Sequence, residues 1–276
     1  MLLSEIKPSP CLSEHVKMFR VIEFHFPQAA VMPFKAYAPK PEYCIQFMPH
    51  DAETVVYPDS GLTISNKKII MIGLHTHVIH RYVASDILGL QVVFQPGSIY
   101  RLTNISCDEL LNVYIDAEEI FGNELQLINE QLFYAKDYVE MIAVVEAFLM
   151  KRINRINNRK HRVDDVSKLM SAETDRFSVD KFLKEAFLSH RQFDRKFKER
   201  IGLTPKHFLQ MARFDKAFRM KNRFPKKDWL SIALHCGYYD YQHLVKDYKE
   251  FTGYTPPEFF AIDTKAPERF FGDVEI

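Results

Sequence analysis

The sequence predicts an α+β protein that combines an N-terminal β-barrel or β-sandwich, accompanied by helices, with a C-terminal all-helical domain. The length of 276 residues, of which 47% are hydrophobic, supplies material for two separate cores. Short β-branched runs occupy the N-terminal part, and one helical pattern near the C-terminus occurs twice. We therefore expect an N-terminal domain at 1–152, a polar linker at 153–164, a paired helical domain at 165–262 and a tail at 263–276.

Several short runs before Arg101 have the composition of β-strands. They are rich in Val, Ile, Phe and Tyr, and Pro, Gly, Asp or Asn separates them. Runs of this kind in series favour an antiparallel barrel or sandwich. The predicted strands are Val16–Phe26, Tyr43–Met48, Glu53–Tyr57, Leu62–Asn66, Lys68–Leu74, Val78–Val83 and Ile87–Phe94.

After Gly97 the periodicity changes from that of strands to that of helices. A Pro-Gly turn ends the last predicted strand, and helices are expected at Ser98–Leu102, Glu118–Glu124 and Tyr138–Ile153. The segment Lys151–His161 is polar and has no apolar period, so it is interpreted as the end of a helix that continues into a linker.

The segment that begins at Ser189 has the pattern of an amphipathic helix. Ser189 is a good N-cap, Phe193, Phe197 and Ile201 form one apolar stripe, and Gly202 stands where a left-handed C-cap residue belongs. Long polar side chains lie on the opposite face, where they suit either solvent or a DNA major groove. They are Arg191, Asp194, Arg195 and Lys198.

This helix occurs a second time, 51 positions further along the chain. Each copy is a short apolar helix, a tight turn and a second helix, which is the helix-turn-helix unit. The copies are Val179–Ala186 with Ser189–Ile201, and Trp229–Cys236 with Asp240–Phe251, and Pro205–Lys221 is predicted to connect them. The shift places Phe193 on Leu244, Phe197 on Tyr248, Lys198 on Lys249, Gly202 on Gly253, Thr204 on Thr255, Pro205 on Pro256 and Phe208 on Phe259.

The second copy and the connecting helix contain residues at characteristic spacings. They are Arg213, Ala217, Ile232-Ala233, Cys236-Gly237-Tyr238, Asp240, Leu244, Lys246, Tyr248-Lys249, Gly253, Thr255-Pro256 and Phe259. With this set, the chain from about Val166 to Phe260 resembles the paired helix-turn-helix domain of the AraC/XylS family of bacterial transcription regulators. Phe182, Lys196 and Phe260 depart from the residue types common in that family.

The resemblance implies a sequence-specific DNA-binding transcription regulator whose two recognition helices enter successive major grooves. It implies an N-terminal domain that senses an effector or dimerises. The partners that it implies are double-stranded DNA, a small-molecule effector, a second copy of the chain and RNA polymerase. No catalytic, cofactor or metal-binding residue is expected. The base-facing positions carried over from the family are Arg191, Asp194, Arg195, Tyr241, Gln242, Val245 and Lys246.

The distribution of charge also favours nucleic acid as a partner. Residues 1–160 contain 15 Lys and Arg against 18 Asp and Glu, whereas residues 161–262 contain 20 against 14. Between positions 189 and 227 the count is 13 against 3. A basic concentration around the first repeated helix and its connector is expected of a surface that binds phosphates.

The sequence predicts a cytoplasmic protein. No run reaches about 18 uninterrupted apolar residues, the length of a membrane span. The first residues contain Glu5, Lys7, Pro8 and Pro10 and therefore lack the apolar core of a signal peptide. The cysteines lie far apart without a paired spacing and are expected to be reduced and mostly buried. They are Cys11, Cys44, Cys107 and Cys236.

Two alternatives remain open at this level. His75 and His77 would share one face of a strand, as a metal site requires, unless a turn between Thr76 and Val78 separates them. The first alternative is therefore a small-molecule-binding or metal-dependent enzyme domain fused to a DNA-binding tail. The second is an adaptor whose helical repeat binds protein.

Overall fold

The computed structural model of the chain describes residues 2–26, 34–155, 159–172 and 179–267. We call residues 2–155 the β-domain and residues 159–267 the helical domain. The strands of the β-domain are β1 (Leu2–Ile6), β2 (Val16–His25), β3 (Lys35–Tyr37), β4 (Cys44–Phe47), β5 (Thr54–Val56), β6 (Thr63–Ile64), β7 (Ile69–Ile72), β8 (Ile79–Tyr82), β9 (Asp86–Phe94) and β10 (Tyr114–Asp116).

These strands form two antiparallel sheets. The larger sheet has the order β1-β2-β9-β4-β7-β10, and the smaller has the order β3-β8-β5-β6. Strand β4 is paired on both edges, since Ile45 lies opposite Val92 of β9 and opposite Met71 of β7. All three side chains are completely buried. The larger sheet therefore turns an apolar face into the main hydrophobic core.

Each predicted run overlaps an observed strand, which confirms the β-rich N-terminal domain. Strands β1, β3 and β10 were not predicted. They are only five, three and three residues long, and polar residues such as Glu5, Lys35 and Asp116 interrupt their apolar pattern. Each lies at an end of its sheet. An edge strand pairs with one neighbour only, and it tolerates the polar residues that obscure it in the sequence.

The helices of the β-domain follow the last long strand. Helix α4 has the predicted bounds and is capped by Asp137, whose carboxylate accepts hydrogen bonds from two backbone N–H groups. The predicted helix at Glu118–Glu124 is interrupted by Gly122, which has φ of 86° and separates two helices. The helices are α1 (Ser98–Thr103), α2 (Glu118–Phe121), α3 (Glu124–Phe133) and α4 (Tyr138–Ile153), with a 3-10 turn at Cys107–Leu110.

The helical domain contains the expected units and two helices that were not predicted, the first and the last of the domain. Its helices are α5 (Arg162–Ala172), α6 (Val179–Ala186), α7 (His190–Ile201), α8 (Pro205–Arg223), α9 (Trp229–His235), α10 (Tyr241–Thr252) and α11 (Pro256–Asp263). Helix α5 begins inside the expected linker 153–164, and Val163 and Asp164 are buried. Residues 156–158 of that linker and 268–276 of the expected tail lie outside the described residues.

The 51-residue repeat is present in the structure. Ser189 and Asp240 are the N-caps of α7 and α10, and Gly202 and Gly253 end the two helices in the left-handed conformation, with φ of 91° and 78°. The apolar stripes are buried as predicted, since Phe193, Phe197, Leu244 and Tyr248 have no exposed surface. This confirms two helix-turn-helix units joined by one long helix.

The described residues contain no helix both long and apolar enough to span a bilayer. All four cysteines are free, and Cys44, Cys107 and Cys236 are buried. Burial raises the pKa of the Cys44 and Cys107 thiols to about 12, so both remain protonated near neutral pH.

Candidate nucleic-acid interface

Helix α7 is fixed at both ends, which determines the direction of its outer face. Its first turn is held by a capping box, in which Gln192 N–H donates to Ser189 Oγ at 3.4 Å and Ser189 N–H donates to Gln192 Oε1 at 3.1 Å. Phe193 and Phe197 anchor the inner face, with ring centroids 5.5 Å apart. The side chains on the opposite side of the helix therefore point away from the core.

The structure places the three predicted residues of α7 on this outer face. Arg191 and Arg195 are exposed, and within the described part of the chain neither forms a hydrogen bond or an ion pair. Asp194 is half-buried, and its Oδ2 lies 3.2 Å from Nδ1 of His190. The face therefore presents two unpaired guanidinium groups on either side of a carboxylate that already has a partner.

Helix α10 presents the second predicted group. Its N-cap, Asp240, accepts a hydrogen bond from His243 N–H at 2.8 Å, and this bond lowers the pKa of Asp240. Gln242 and Lys246 are exposed, whereas Tyr241 and Val245 are half-buried.

The two helices present their side chains at equivalent positions. By the 51-residue shift, Gln242 corresponds to Arg191, Val245 to Asp194 and Lys246 to Arg195. Gln242 and Lys246, like the two arginines, have no polar partner among the residues that the structure describes. Each helix has a side-chain N-cap and ends at a left-handed glycine, and the two outward faces carry different side chains.

Helix α8 holds α10 in place. Gln210 Nε2 donates to Asp247 Oδ1 at 3.0 Å and to Glu250 Oε2 at 2.8 Å. Arg213 Nη2 lies 3.5 Å from Asp247 Oδ2, and its guanidinium lies 4.6 Å from the ring centroid of Tyr238. Burial raises the pKa of Asp247, and the charge of Arg213 partly offsets this effect.

The sequence did not assign roles to two features of this surface. Asp247, on the inner face of α10, joins it to α8, and its polarity gave no sign of burial. Tyr239 is 86% exposed in the turn just before α10, and its ring lies 6.1 Å from that of His243. An aromatic residue immediately before the N-cap is the signal that could have identified Tyr239.

The histidine pair of the β-domain is not arranged as on a strand. A bend at Thr76 and His77 interrupts the strand pattern on which the metal-site alternative depended. His75 is buried, with Nδ1 3.0 Å from the carbonyl oxygen of Gly73 and Nε2 3.2 Å from the hydroxyl of Tyr57. Within the described ranges, no three His, Cys, Asp or Glu side chains are grouped to hold a metal ion.

Comparisons with known proteins agree with this geometry in the helical domain. Residues 182–262 match a family model described as a helix-turn-helix domain. The HTH-type transcriptional regulator MtrA of Neisseria gonorrhoeae is 25% identical over 121 residues, which cover 44% of this chain and 37% of MtrA. The HTH-type transcriptional regulator ArgR of Pseudomonas aeruginosa is 26% identical over 106 residues, 38% of this chain and 32% of ArgR.

Each of these matches spans about a third of the relative's length. Among solved structures, ToxT from Vibrio cholerae aligns over 89% of this chain and 98% of its own, with 12% identity and a TM-score of 0.48. The residues that the family model matches all lie in the helical domain.

Proposed function

We propose that this protein is a sequence-specific DNA-binding transcription regulator, because residues 182–262 match a helix-turn-helix family model and the chain resembles the paired helix-turn-helix domain of the AraC/XylS family. Helix α7 enters one major groove of double-stranded DNA and α10 enters the next. The β-domain modulates this binding through a small-molecule effector. Contacts with RNA polymerase and with a second copy of the chain are further partners that the family resemblance suggests.

The observation that carries this proposal is the equivalent presentation of unpaired side chains on α7 and α10. Arg191 and Arg195 suit the O6 and N7 acceptors of guanine, and Gln242 suits adenine, which offers a donor and an acceptor side by side. Val245 suits a thymine methyl group, and Lys246 a guanine. Because these faces have different side chains, the two halves of the DNA site should differ in sequence.

Asp194 has a special place between the two arginines. A carboxylate near phosphates is unfavourable unless it accepts a hydrogen bond, and cytosine N4 is the base group that could donate one. The structure gives another donor, because His190 lies 3.2 Å away. Asp194 therefore either accepts a hydrogen bond from a cytosine or keeps its contact with His190 and touches no base.

Helix α8 sets the distance between the recognition helices. Its 19 residues span about 28 Å at about 1.5 Å per residue. Together with the bodies of the two units, this length suits recognition helices that lie about one DNA turn, roughly 34 Å, apart on one face of the duplex. One copy of the chain would then occupy two successive major grooves.

Selection of bound duplexes from a random pool tests this proposal. We expect a site of two unlike halves whose centres lie about 10 to 11 base pairs apart. Insertion of half a turn, about 5 base pairs, between the halves should abolish the gain in affinity that the second half-site gives. Enrichment of one short motif, or binding that ignores the insertion, would contradict the two-groove arrangement.

A cavity between the domains supports modulation by a small molecule. The cavity has a volume of about 400 Å³ and lies where the β-domain meets α8. Its lining combines cationic and apolar side chains, as ligand sites often do. The lining residues are Leu3, Ser4, Glu5, Arg20 and Lys40 from the β-domain and Phe218, Arg219 and Asn222 from α8.

The polar groups of this cavity indicate the chemistry of its occupant. Arg20 and Arg219 both lie 3.3 Å from the carboxylate of Glu42 and suit an anion. We infer a small anionic effector.

A further inference from the structure

The last turn of α7 is attached to the β-domain through Tyr43, the residue immediately before β4. The Tyr43 hydroxyl lies 3.0 Å from the carbonyl oxygen of Cys107 in the β-domain and 3.2 Å from that of Ile201 at the end of α7. The side chain is buried. One hydroxyl group therefore joins the backbone of the β-domain to the backbone of the first recognition helix.

The glycine that follows Ile201 shows how close this contact is. A Cβ atom on Gly202 would lie 2.5 Å from Tyr43 Oη and 2.7 Å from the carbonyl oxygen of Cys107, closer than real Cβ contacts. Gly253 ends α10 in the same left-handed conformation, yet a Cβ there would meet nothing within 4 Å. The same helix cap is therefore a docking point in the first unit and an open surface in the second.

Other polar contacts of the β-domain also reach the last turn of α7. The Tyr100 hydroxyl donates to Glu199 Oε1 at 2.6 Å, and Lys198 Nζ lies 3.7 Å from Asp108 Oδ2. Helix α10 differs, because its described polar contacts to other helices go to His207, Gln210 and Arg213 of α8. The β-domain thus holds the first recognition helix directly and the second only through neighbouring helices.

Tyr43 is also next to Glu42, whose ion-pair partners line the interdomain cavity. Glu42 accepts from Lys17 Nζ at 2.7 Å, and its carboxylate contacts Arg20 and Arg219, which line the cavity. Any ligand that drew Arg219 away from Glu42 would change the surroundings of Glu42. The next residue in the chain, Tyr43, holds the end of α7. Glu42 and Tyr43, joined by one peptide bond, thus connect the arginines of the cavity to the first recognition helix through an ion pair on one side and a hydrogen bond on the other.

We propose that Tyr43 is a positioning residue for the first half of the DNA site. It fixes the last turn of α7 on the β-domain, sets the direction in which Arg191 and Arg195 enter the groove, and couples the state of the β-domain to this half-site rather than to both. This inference rests on the proposed function, because it needs a DNA site with two halves.

The test uses Tyr43→Phe in the full chain, with Tyr57→Phe as the matched control. Tyr57 is another buried tyrosine of the β-domain, and its hydroxyl donates to Asn112 O at 3.1 Å, away from α7. Affinity is measured for three duplexes, with both half-sites, with only the first, or with only the second. We expect Tyr43→Phe to weaken binding to the first half-site about fivefold, the effect of one neutral hydrogen bond, and to alter its base preference.

The second half-site should bind Tyr43→Phe within about twofold of wild type, because α10 keeps its own contacts. Gly202→Ala and Gly253→Ala give a second comparison, because both glycines have a left-handed φ that strains an alanine. Hydrogen exchange in α7 should accelerate in Gly202→Ala, and exchange in α10 should change less in Gly253→Ala. Equal weakening at both half-sites, or no effect of either Tyr43→Phe or Gly202→Ala at the first one, would overturn the inference. Absence of DNA binding by the wild-type chain would instead overturn the proposed function.

Discussion

Arg200 and Asp164 form a buried ion pair with two hydrogen bonds, from Nε to Oδ1 at 2.7 Å and from Nη2 to Oδ2 at 2.6 Å. Both side chains are more than nine-tenths buried. The pair joins α5 to the last turn of α7, and Asp164 also lies against Gly97 of the β-domain. The linker end, the first recognition helix and the β-domain thus meet at one carboxylate.

We expect Asp164→Asn to destabilise the protein by about 3–5 kcal/mol, because it leaves the buried guanidinium of Arg200 without its counter-charge. Asp165→Asn is the control, since this neighbouring side chain is half exposed and pairs with Lys160. Its loss should cost less than about 1 kcal/mol. Urea unfolding followed by circular dichroism measures both changes. Equal losses in the two variants would show that the buried pair has no special role.

Arg195 and Lys198 should differ in what they contribute to DNA binding. Arg195→Ala should cost about 1–3 kcal/mol at the cognate site and flatten the preference at one or two base pairs. Lys198 lies 3.7 Å from Asp108 at the β-domain edge of the helix. Lys198→Ala should weaken all sequences alike and lower the salt slope by at most about one unit.

Duplex binding across a salt series, with cognate and random DNA, separates these outcomes. A uniform loss for Arg195→Ala, with sequence preference intact and a reduced salt slope, would mean that the outer face of α7 binds phosphates only.

Removal of the Glu42 carboxylate should leave the positive charges of Lys17, Arg20 and Arg219 without their shared counter-charge. Burial alone would raise the pKa of Glu42, but Lys17, Arg20 and Arg219 hold it well below its usual range. Glu42→Ala should lower the melting temperature, and acetate should restore part of the loss because its carboxylate can enter the vacated space. Chloride at equal ionic strength is the comparison anion.

Glu14→Ala is the control variant for this experiment, because Glu14 is half exposed in its pair with Arg101. It should lose little stability and respond equally to both salts. If acetate and chloride have the same effect on Glu42→Ala, the site does not bind carboxylates, and the inferred class of effector is wrong.

His75 should make the stability of the β-domain sensitive to acid. Burial lowers the pKa of His75 to about 4 in the folded chain, whereas an unfolded histidine titrates near about 6.5. As the pH falls between these values, the unfolded state binds the proton first, so folding stability falls by up to about 3 kcal/mol. His75→Gln should flatten this decline, and the exposed His235→Gln should not.

Unfolding midpoints measured between pH 7 and pH 4 report the decline. DNA affinity of the folded His75→Gln and His77→Ala variants at neutral pH should match that of wild type, because the hydrogen bonds of both histidines stay within the β-domain. A large loss of DNA affinity in either variant would contradict the separation of roles between the domains.

Residues from about His161 onward should fold and bind DNA without the β-domain. This fragment retains α5 and therefore both members of the Asp164–Arg200 pair. It loses the contact of Tyr43 with Ile201, so its affinity should fall mainly at the first half-site. Circular dichroism and duplex binding check the two statements, and an unfolded fragment would show that the domain boundary is misplaced.

The sequence predicted the helical domain well because its signals are local. Caps such as Ser189 and Asp240, the glycines that end the helices and the apolar stripes all act within one or two turns. Helix α5 was missed for the opposite reason. The burial of Asp164 depends on Arg200, a partner 36 residues away, so the segment had the polarity of a linker.

The candidate site divides in the same way. The outward positions on α7 and α10 followed from helical periodicity and from the family resemblance, and the structure places them on exposed or half-buried surface. The junction at Tyr43 could not be predicted, since its hydroxyl meets a carbonyl 158 positions away. The cavity is likewise formed by residues from both domains. No local sequence pattern predicts a cavity whose lining residues lie far apart in the chain.

The burial of α8 limits how this protein could acquire new targets. Phe208, Met211, Phe214 and Phe218 are among its buried residues, and they pack along most of its length. Each residue inserted into this helix would rotate its C-terminal remainder by about 100° and advance it by about 1.5 Å, which would remove that packing. Substitutions at exposed positions of α7 and α10 can change which bases are preferred. The number of base pairs between the two groups of bases is fixed by the packing of α8 and cannot change without loss of that packing.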